Sequence, residues 1–373
     1  VRFQVSAHPP AKKAVGLIEK KTLAFTESHR NIKSKYRNLG IVILVMKEPI
    51  LGIKGLKKHF LRSGGLLNRK SAWIKALDGV SFQVYKGDAF GLVGESGCGK
   101  STLGKTILGI YRPTEGSVTF KGREISQLPK NELKAVRKDI QYVYQDPGSS
   151  LDPHWKVKRI LSEPLVIHTT LNKRDIEKQV HEIIEAVGLR RGQLALYPHE
   201  FSGGQQRRLG LARILCLNPT LIILDEPTSG LDVSVQATIL KLFIELKNRF
   251  DLTYIFISHN LSVVRMMCRR LAVMYAGQIV ETGETGSIFD NPVHPYTKAL
   301  LAAIPVIGKK LQDDVSLTGE PPDPSNYAAG CRFRPRCGFR MDVCKALEPE
   351  FCRTGDGRWV SCHLVRREPS NSA

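Results

Sequence analysis

Short apolar runs separated by helix-like stretches organise the chain from Ile53 onward. Ala89-Phe90-Gly91-Leu92-Val93, Leu221-Ile222-Ile223-Leu224 and Tyr254-Ile255-Phe256-Ile257 are continuous apolar runs bounded by turn signals. Such runs predict strands of a parallel sheet covered on both faces, where neither face meets water and alternation is lost. Residues 101–109 and 233–249 carry helical spacing between them. The alternation predicts an α/β fold built from βαβ units. Between Asp146 and Phe201 no buried strand stands out, and helical patterning, as in residues 174–187, predicts a helical insertion over about residues 146–204. After Asn291, three prolines (Pro292, Pro295 and Pro305) punctuate a short helix over residues 296–303. A turn-rich piece through Pro321-Pro322-Asp323-Pro324 then leads into a cysteine cluster, so residues 291–373 are expected to form a small appended domain. No internal repeat or low-complexity tract interrupts the pattern.

Charge changes this picture at one end. The chain of 373 residues has a net charge of +21, and residues 1–70 hold 16 Lys/Arg against 3 Asp/Glu, more than half of the excess. A basic balance suits nucleic acid, anionic lipid or nucleotide, and it equally suits a solvated basic tail. Residues 1–46 are basic and weakly periodic, whereas Met46 directly precedes a well-patterned start. The expectation is that Met46 is the natural start, with residues 1–45 as upstream sequence or a disordered tail. The longest apolar run there, residues 41–46, is far shorter than the roughly 18 residues a spanning helix needs. A role at a membrane would require docking on partners. Five of the eight cysteines lie between Cys331 and Cys362. With no secretory signal layout, a reducing compartment is expected, and a local cysteine cluster there points to metal.

Three motifs carry chemistry. Gly94-Glu95-Ser96-Gly97-Cys98-Gly99-Lys100-Ser101-Thr102 follows a predicted buried strand and opens a predicted helix, the context a phosphate-binding loop requires. Its glycines let backbone N–H groups close around phosphate oxygens, and the new helix turns its positive end to the same anion. Lys100 would neutralise terminal phosphates and the Ser101 hydroxyl would ligate Mg²⁺. Leu221–Leu224 would deliver Asp225 and Glu226 to the carboxyl edge of the sheet, where ligands of open α/β sheets bind. Asp225 would hold the Mg²⁺ shell and Glu226 would polarise the attacking water. Phe201-Ser202-Gly203-Gly204-Gln205 opens a further helical run and forms a second anion-binding helix N-terminus. One nucleotide needs only one such terminus per chain. A head-to-tail dimer would use both; a plain capped helix is the alternative.

The phosphate loop, Gln145, Ser202-Gly203-Gly204-Gln205, Asp225-Glu226, Ser229-Gly230-Leu231-Asp232 and Ser258-His259 occur in the order and context of ABC transporter ATPase subunits, which residues 50–290 resemble. The resemblance implies a P-loop ABC ATPase fold with ATP and Mg²⁺ as cofactors. It implies that Gln145 contacts Mg²⁺ and senses membrane subunits, that Asp232 lies at a dimer seam, and that His259 contacts the γ-phosphate. It also implies an aromatic stacked on adenine before the phosphate loop, for which Trp73 is the best placed; Phe82 and Tyr85 read as strand residues. Asn291-Pro292-Val293-His294-Pro295-Tyr296, Tyr144-Gln145-Asp146-Pro147-Gly148 and Tyr197-Pro198-His199-Glu200 resemble the oligopeptide/dipeptide importer group, and within it the F subunit. Two departures are Gln205-Gln206-Arg207-Arg208, where Gln-Arg-Gln-Arg is usual, and Gly230 in place of Ala.

In that group Cys331, Cys337, Cys344 and Cys362 match the ligands of a [4Fe–4S] cluster. Structural zinc and unligated thiols are the alternatives, and Cys352 and His363 stand close enough in sequence to compete as ligands. Cys98, Cys216 and Cys268 read as inert thiols.

The implied function is ATP hydrolysis that energises peptide import. The implied partners are a second ABC ATPase, two membrane permeases and an extracytoplasmic peptide-binding protein, with the chain peripheral on the cytoplasmic face of the inner membrane. A nickel or other small-solute importer is a close alternative. A soluble ABC protein acting on nucleic acid or ribosomes is a distant one, set against a single phosphate loop and the absence of a long coiled-coil insertion.

Overall fold

The structure, a computed structural model, describes residues 48–62, 72–144, 147–304 and 319–365. The expectations for residues 1–46 and for Gln145 fall outside these residues. Two long antiparallel strands, β1 (Pro49–Arg62) and β2 (Ala72–Tyr85), open the described fold, and β3 (Ala89–Val93) leads into α1 (Lys100–Ile107). A hairpin, β4 (Glu115–Phe120) and β5 (Arg123–Glu124), precedes α2 (Lys130–Asp139) and β6 (Ile140–Val143). Then come α3 (Val157–His168), α4 (Lys173–Ala186) and α5 (Gly203–Leu215), joined by short 3-10 turns, with no strand among the described residues before β7 (Leu221–Asp225). The series continues through α6 (Val233–Phe250), β8 (Thr253–Ser258), α7 (Leu261–Met267), β9 (Arg270–Tyr275) and β10 (Gln278–Glu284). It closes with α8 (Thr285–Asp290), α9 (Pro295–Ala302), α10 (Val343–Ala346), β11 (Phe351–Arg353) and β12 (Trp359–Ser361).

The strands form two sheets. The larger runs β11-β12-β10-β9-β3-β8-β7-β6, and its centre, from β9 through β6, is parallel. The smaller is the antiparallel set β2-β1-β4-β5. Every residue of β3, β7 and β8 is buried, which is why these strands read as unbroken apolar runs. One core fills the space between the two sheets around α1, where the rings of Phe82 and Phe90 stack 4.9 Å apart. The other covers the opposite face of the large sheet with α3 to α7. Gly104 lets α1 lie directly on that sheet, since a Cβ there would sit 2.8 Å from the Tyr142 ring.

The insertion helices are amphipathic. In α3, Val157, Ile160, Leu161 and Leu165 fall on one face and are buried, at roughly 1.5–3 kcal/mol for each large apolar side chain removed from water. The Asn172 side chain caps α4 by accepting the Asp175 N–H at 3.0 Å. Arg213 ties α5 to α3 through Glu163 at 2.7 Å.

The C-terminal residues, expected as a small appendage, belong to one compact unit with the residues from 48 onward. Strand β12 pairs with β10 and β11 pairs with β12, which extends the large sheet. A buried ion pair locks this junction. Glu281 is fully buried, meets Arg358 at 3.3 Å, and accepts the N–H groups of Val293 and His294 at 3.1 and 3.0 Å. Arg358 also donates to the carbonyls of Ser287 and Asn291. No helix among the described residues is long and apolar enough to cross a membrane.

Breaking this pair from one side leaves a charge stranded in the core. Arg358→Met is therefore expected to cost about 3–5 kcal/mol in chemical denaturation, and adding Glu281→Gln is expected to recover part of that loss. Equal stability of Arg358→Met and the parent chain would contradict the role given to the pair.

Candidate active site

Three neighbouring parallel strands end at one edge. Val93 of β3 pairs with Ser258 of β8, and Asp225 of β7 pairs with Ile257 of β8. The residues that follow, Gly94, Glu226 and His259, therefore emerge side by side. They open a cavity of about 600 Å³ lined by Ser96, Gly97, Gly99, Lys100, Ser101, Thr102, Asp225, Glu226, Ser229 and His259, with Ile74, Ala76 and Pro324 at its wall.

The loop from Gly94 to Gly99 closes around the Lys100 side chain. The Lys100 ammonium is buried and donates to the carbonyls of Gly94 and Glu95 at 2.7 and 2.8 Å. Gly99 has φ of 109° and lies so close to β2 that a Cβ would approach the Ala76 carbonyl oxygen to 2.3 Å. The Cys98 thiol is buried 3.7 Å from the Lys100 ammonium, and burial pushes its pKa up, which makes it an inert part of the loop. Glu95 turns its carboxylate away from the cavity into a two-bond pair with Arg336.

Ser101 donates to Asp225 Oδ1 at 3.2 Å. A hydroxyl and a carboxylate are hard oxygen donors, the kind Mg²⁺ takes alongside substrate phosphates rather than in an all-protein cage. These two residues fit that ion. Tyr142 donates its hydroxyl to the other oxygen, Asp225 Oδ2. Burial first, and then the Asp225 charge, drive the Tyr142 pKa far above its ordinary value, so it stays a donor. Sequence reasoning missed Tyr142; its only signal was an aromatic in β6 near Gln145.

Glu226 sits at the end of β7 with φ of 50°, a left-handed conformation that costs a non-glycine residue about 1–3 kcal/mol. Its side chain lines the cavity. Glu226 Oε1 accepts the His259 backbone N–H at 3.0 Å and lies 2.9 Å from His259 Nδ1. Arg207 braces the segment after Glu226 by donating to the carbonyls of Pro227 and Ser229, both at 3.1 Å.

Other expected residues lie elsewhere. Ser202 caps α5 in a reciprocal pair with Gln205, at 3.0 and 3.4 Å, but Ser202 and Gly203 are exposed and neither they nor Gly204 line this chain's cavity. Asp232 stands at the exposed N-terminus of α6 beside Val233, which is 82% exposed. Trp73 is exposed on β2 and does not line the cavity, whereas its neighbours Ile74 and Ala76 do. Strand alternation turns the ring away from them. Pro324 was likewise not anticipated; its carbonyl accepts the Lys75 N–H at 3.0 Å and brings a C-terminal residue to the cavity wall.

Residues 77–229 match the family described as ABC transporter, and residues 280–344 match the oligopeptide/dipeptide transporter C-terminal region. Oligopeptide transport ATP-binding protein AppF of Bacillus subtilis is 47% identical over 322 residues, covering 85% of this chain and 98% of that protein. The chain belongs to the ABC transporter ATP-binding protein family. Dipeptide transport ATP-binding protein DppF of Escherichia coli is 42% identical over 87% of this chain and 96% of its own length. Among solved structures, cbiO1 of Clostridium perfringens, part of an ABC transporter complex, superposes with a TM-score of 0.58 at 26% identity, covering 66% of this chain and 92% of that one. A dimeric ATP-binding cassette bound to ADP and Pi superposes with a TM-score of 0.56 at 26% identity, covering 63% and 98%. The ABC ATPase fold expected from the sequence is the fold observed, and membership in this family makes the chain an ATP-hydrolysing subunit.

The expected [4Fe–4S] ligand set finds no support in the structure. Cys331, Cys337, Cys344 and Cys362 do share one segment of the fold, and the first three each push the Cys362 thiol upward. Yet no three His, Cys, Asp or Glu side chains among the described residues form a group that could hold a metal ion. Burial is the largest cause raising the Cys331, Cys337 and Cys362 thiols, the last to about 11. No chemistry is routed through a cluster at these residues. His363 is engaged with the Leu347 carbonyl at 3.0 Å.

Tyr142→Phe removes one hydrogen bond from Asp225 without changing shape. It is expected to raise the Mg²⁺ concentration for half-maximal ATP hydrolysis about three- to tenfold, the value of one such bond. Titration of Mg²⁺ at fixed ATP measures this, and an unchanged curve would remove Tyr142 from the site.

Proposed function

We propose that this chain energises the import of oligopeptides or dipeptides, working at the cytoplasmic face of a membrane with a second ATP-binding subunit, two permease subunits and a peptide-binding protein. The peptide cargo follows from the relatives, whose names specify oligopeptide and dipeptide transport, and from the matching C-terminal region. The reaction follows from the site. Lys100 supplies positive charge to the terminal phosphates, and the backbone N–H groups of the phosphate loop and the first turn of α1 surround them. Ser101 and Asp225 would hold Mg²⁺, which when bound neutralises charge across the phosphates. Glu226 accepts a proton from the attacking water, with His259 fixed beside it to contact the γ-phosphate. Gln145 is assigned to the Mg²⁺ site and to contact with the permeases.

The observation that carries the dimer is the separation of two phosphate-type helix ends in one chain. The N-terminus of α1 lines the cavity, while at the N-terminus of α5 Ser202 and Gly203 are exposed and none of Ser202, Gly203 and Gly204 lines it. A partner presenting the same motif would complete the triphosphate site, and Asp232 with the exposed Val233 would lie at that seam. The dimeric relative with bound ADP and Pi supports this arrangement. The α3–α4 insertion is assigned to transmit closure to the permeases. No [4Fe–4S] cluster enters this reading.

In the assembled complex, Glu226→Gln is expected to keep ATP binding and lower hydrolysis by about 10²–10⁴, the contribution of a general base. Peptide uptake into vesicles should fall in parallel. Hydrolysis at the parent rate in Glu226→Gln would refute the assigned base, and ATP turnover indifferent to every peptide and permease would refute the transport reading.

A further inference from the structure

The second residue of the phosphate loop is held from three sides. The Lys100 ammonium binds the Glu95 carbonyl at 2.8 Å, the Tyr296 hydroxyl accepts the Glu95 N–H at 2.9 Å, and Arg336 grips the Glu95 carboxylate at 2.6 and 3.0 Å. Two of these three holders come from beyond residue 290. Both are deeply placed: Tyr296 is fully buried and the Arg336 side chain is 5% exposed.

The surrounding structure leaves these two side chains little freedom. Burial of His294 pushes its pKa down to about 3, so its neutral Nδ1 can accept the Tyr296 N–H at 3.0 Å at the start of α9. The Glu281–Arg358 pair anchors the chain just before it. Phe333, three residues before Arg336, packs its ring 5.2 Å from Tyr275 and 5.5 Å from Tyr296. The two hydrogen bonds to Glu95 are the largest cause holding the Arg336 guanidinium above even its ordinary range.

Glu95 poses an electrostatic problem for the loop. Its carboxylate is borne by a loop whose purpose is to receive a polyanion, and at that range like charges in a partly buried site repel appreciably. We propose that Arg336 is a positioning residue for nucleotide binding: it turns the Glu95 carboxylate outward and cancels its charge, so that the loop presents N–H groups, hydroxyls and Lys100, and no carboxylate, to the triphosphate. Tyr296 keeps the Glu95 backbone in register for that pairing. The C-terminal segment thereby enters the nucleotide affinity of the chain, although among its described residues only Pro324 reaches the cavity wall. The inference rests on the reading that ATP binds at this loop.

The test uses the full chain in its assembled complex and reads KM and kcat for ATP together with the thermal midpoint. Arg336→Met is expected to raise KM for ATP about tenfold (about 1.4 kcal/mol) with kcat within about twofold, because the ground-state site is spoiled and the base is untouched. The increase should shrink at high salt. Adding Glu95→Gln to Arg336→Met removes the stranded charge and is expected to return KM to within about threefold of the parent. A merely structural role predicts the opposite, a double variant no better than the single one. If Arg336→Met does not fold, Arg336→Lys carries the test, with a smaller rise in KM because the two-bond fork is lost while the charge remains. An unchanged KM in a folded Arg336 variant, or no recovery on adding Glu95→Gln, overturns the proposal. A parent complex that neither binds nor hydrolyses ATP would instead overturn the reading beneath it.

Discussion

The parallel pairing of β3, β8 and β7 is the constraint on which the rest depends. Their register ends three strands at one edge, and each strand continues at once into a residue assigned to the nucleotide site. Parallel strands need crossovers, and here the crossovers carry α1, the insertion helices and α6. The same connectivity that builds the sheet therefore supplies a helix N-terminus at the site and a helical body projecting from it. Complete burial of the three strands makes this edge stiff, which matters because Glu226 is held in an unfavourable backbone conformation that only rigid surroundings sustain.

Charge at the site is arranged in pairs with distinct partners. Asp225 is divided between Ser101 and Tyr142, Glu226 faces His259, and Glu95 faces Arg336. Lys100 makes its hydrogen bonds to backbone carbonyls and to the Cys98 sulfur, which leaves its positive charge without a carboxylate partner in the cavity. Among the described residues that line the cavity, a polyanion thus meets the Lys100 ammonium without a carboxylate partner, while the carboxylates of Asp225 and Glu226 engage Tyr142, Ser101 and His259.

The C-terminal residues do more than follow the catalytic body. They complete the large sheet, bury the Glu281–Arg358 pair, wall the cavity with Pro324 and reach the phosphate loop through Tyr296 and Arg336. The Asn291-Pro292-Val293-His294-Pro295-Tyr296 run acquires a physical meaning from this. Its backbone N–H groups satisfy a buried carboxylate, its histidine starts a helix, and its tyrosine ends on the loop.

Local chemistry alone settled much of this protein. The unbroken apolar runs at β3, β7 and β8 read as strands buried on both faces, and the glycines before Lys100 read, between strand and helix, as a tight anion-binding turn. Helices α1, α4, α6 and α9 begin and end within a residue or two of where periodicity placed them, because their caps and apolar stripes are local features. What depended on distant contacts was not legible. The long β1–β2 pair and the strands β11 and β12 are partly exposed and acquire their identity from their partners. Trp73 was assigned to adenine by its position along the chain; which residues of β2 line the cavity, Ile74 and Ala76, depended on the strand's placement. Among the described residues no three His, Cys, Asp or Glu form a group that could hold a metal ion, and spacing along the chain could not tell where the four cysteine thiols come to lie. Tyr142, Pro324 and Arg336 reach the site across 83, 249 and 241 residues of chain from Asp225, Lys75 and Glu95, and only the folded packing brings them there.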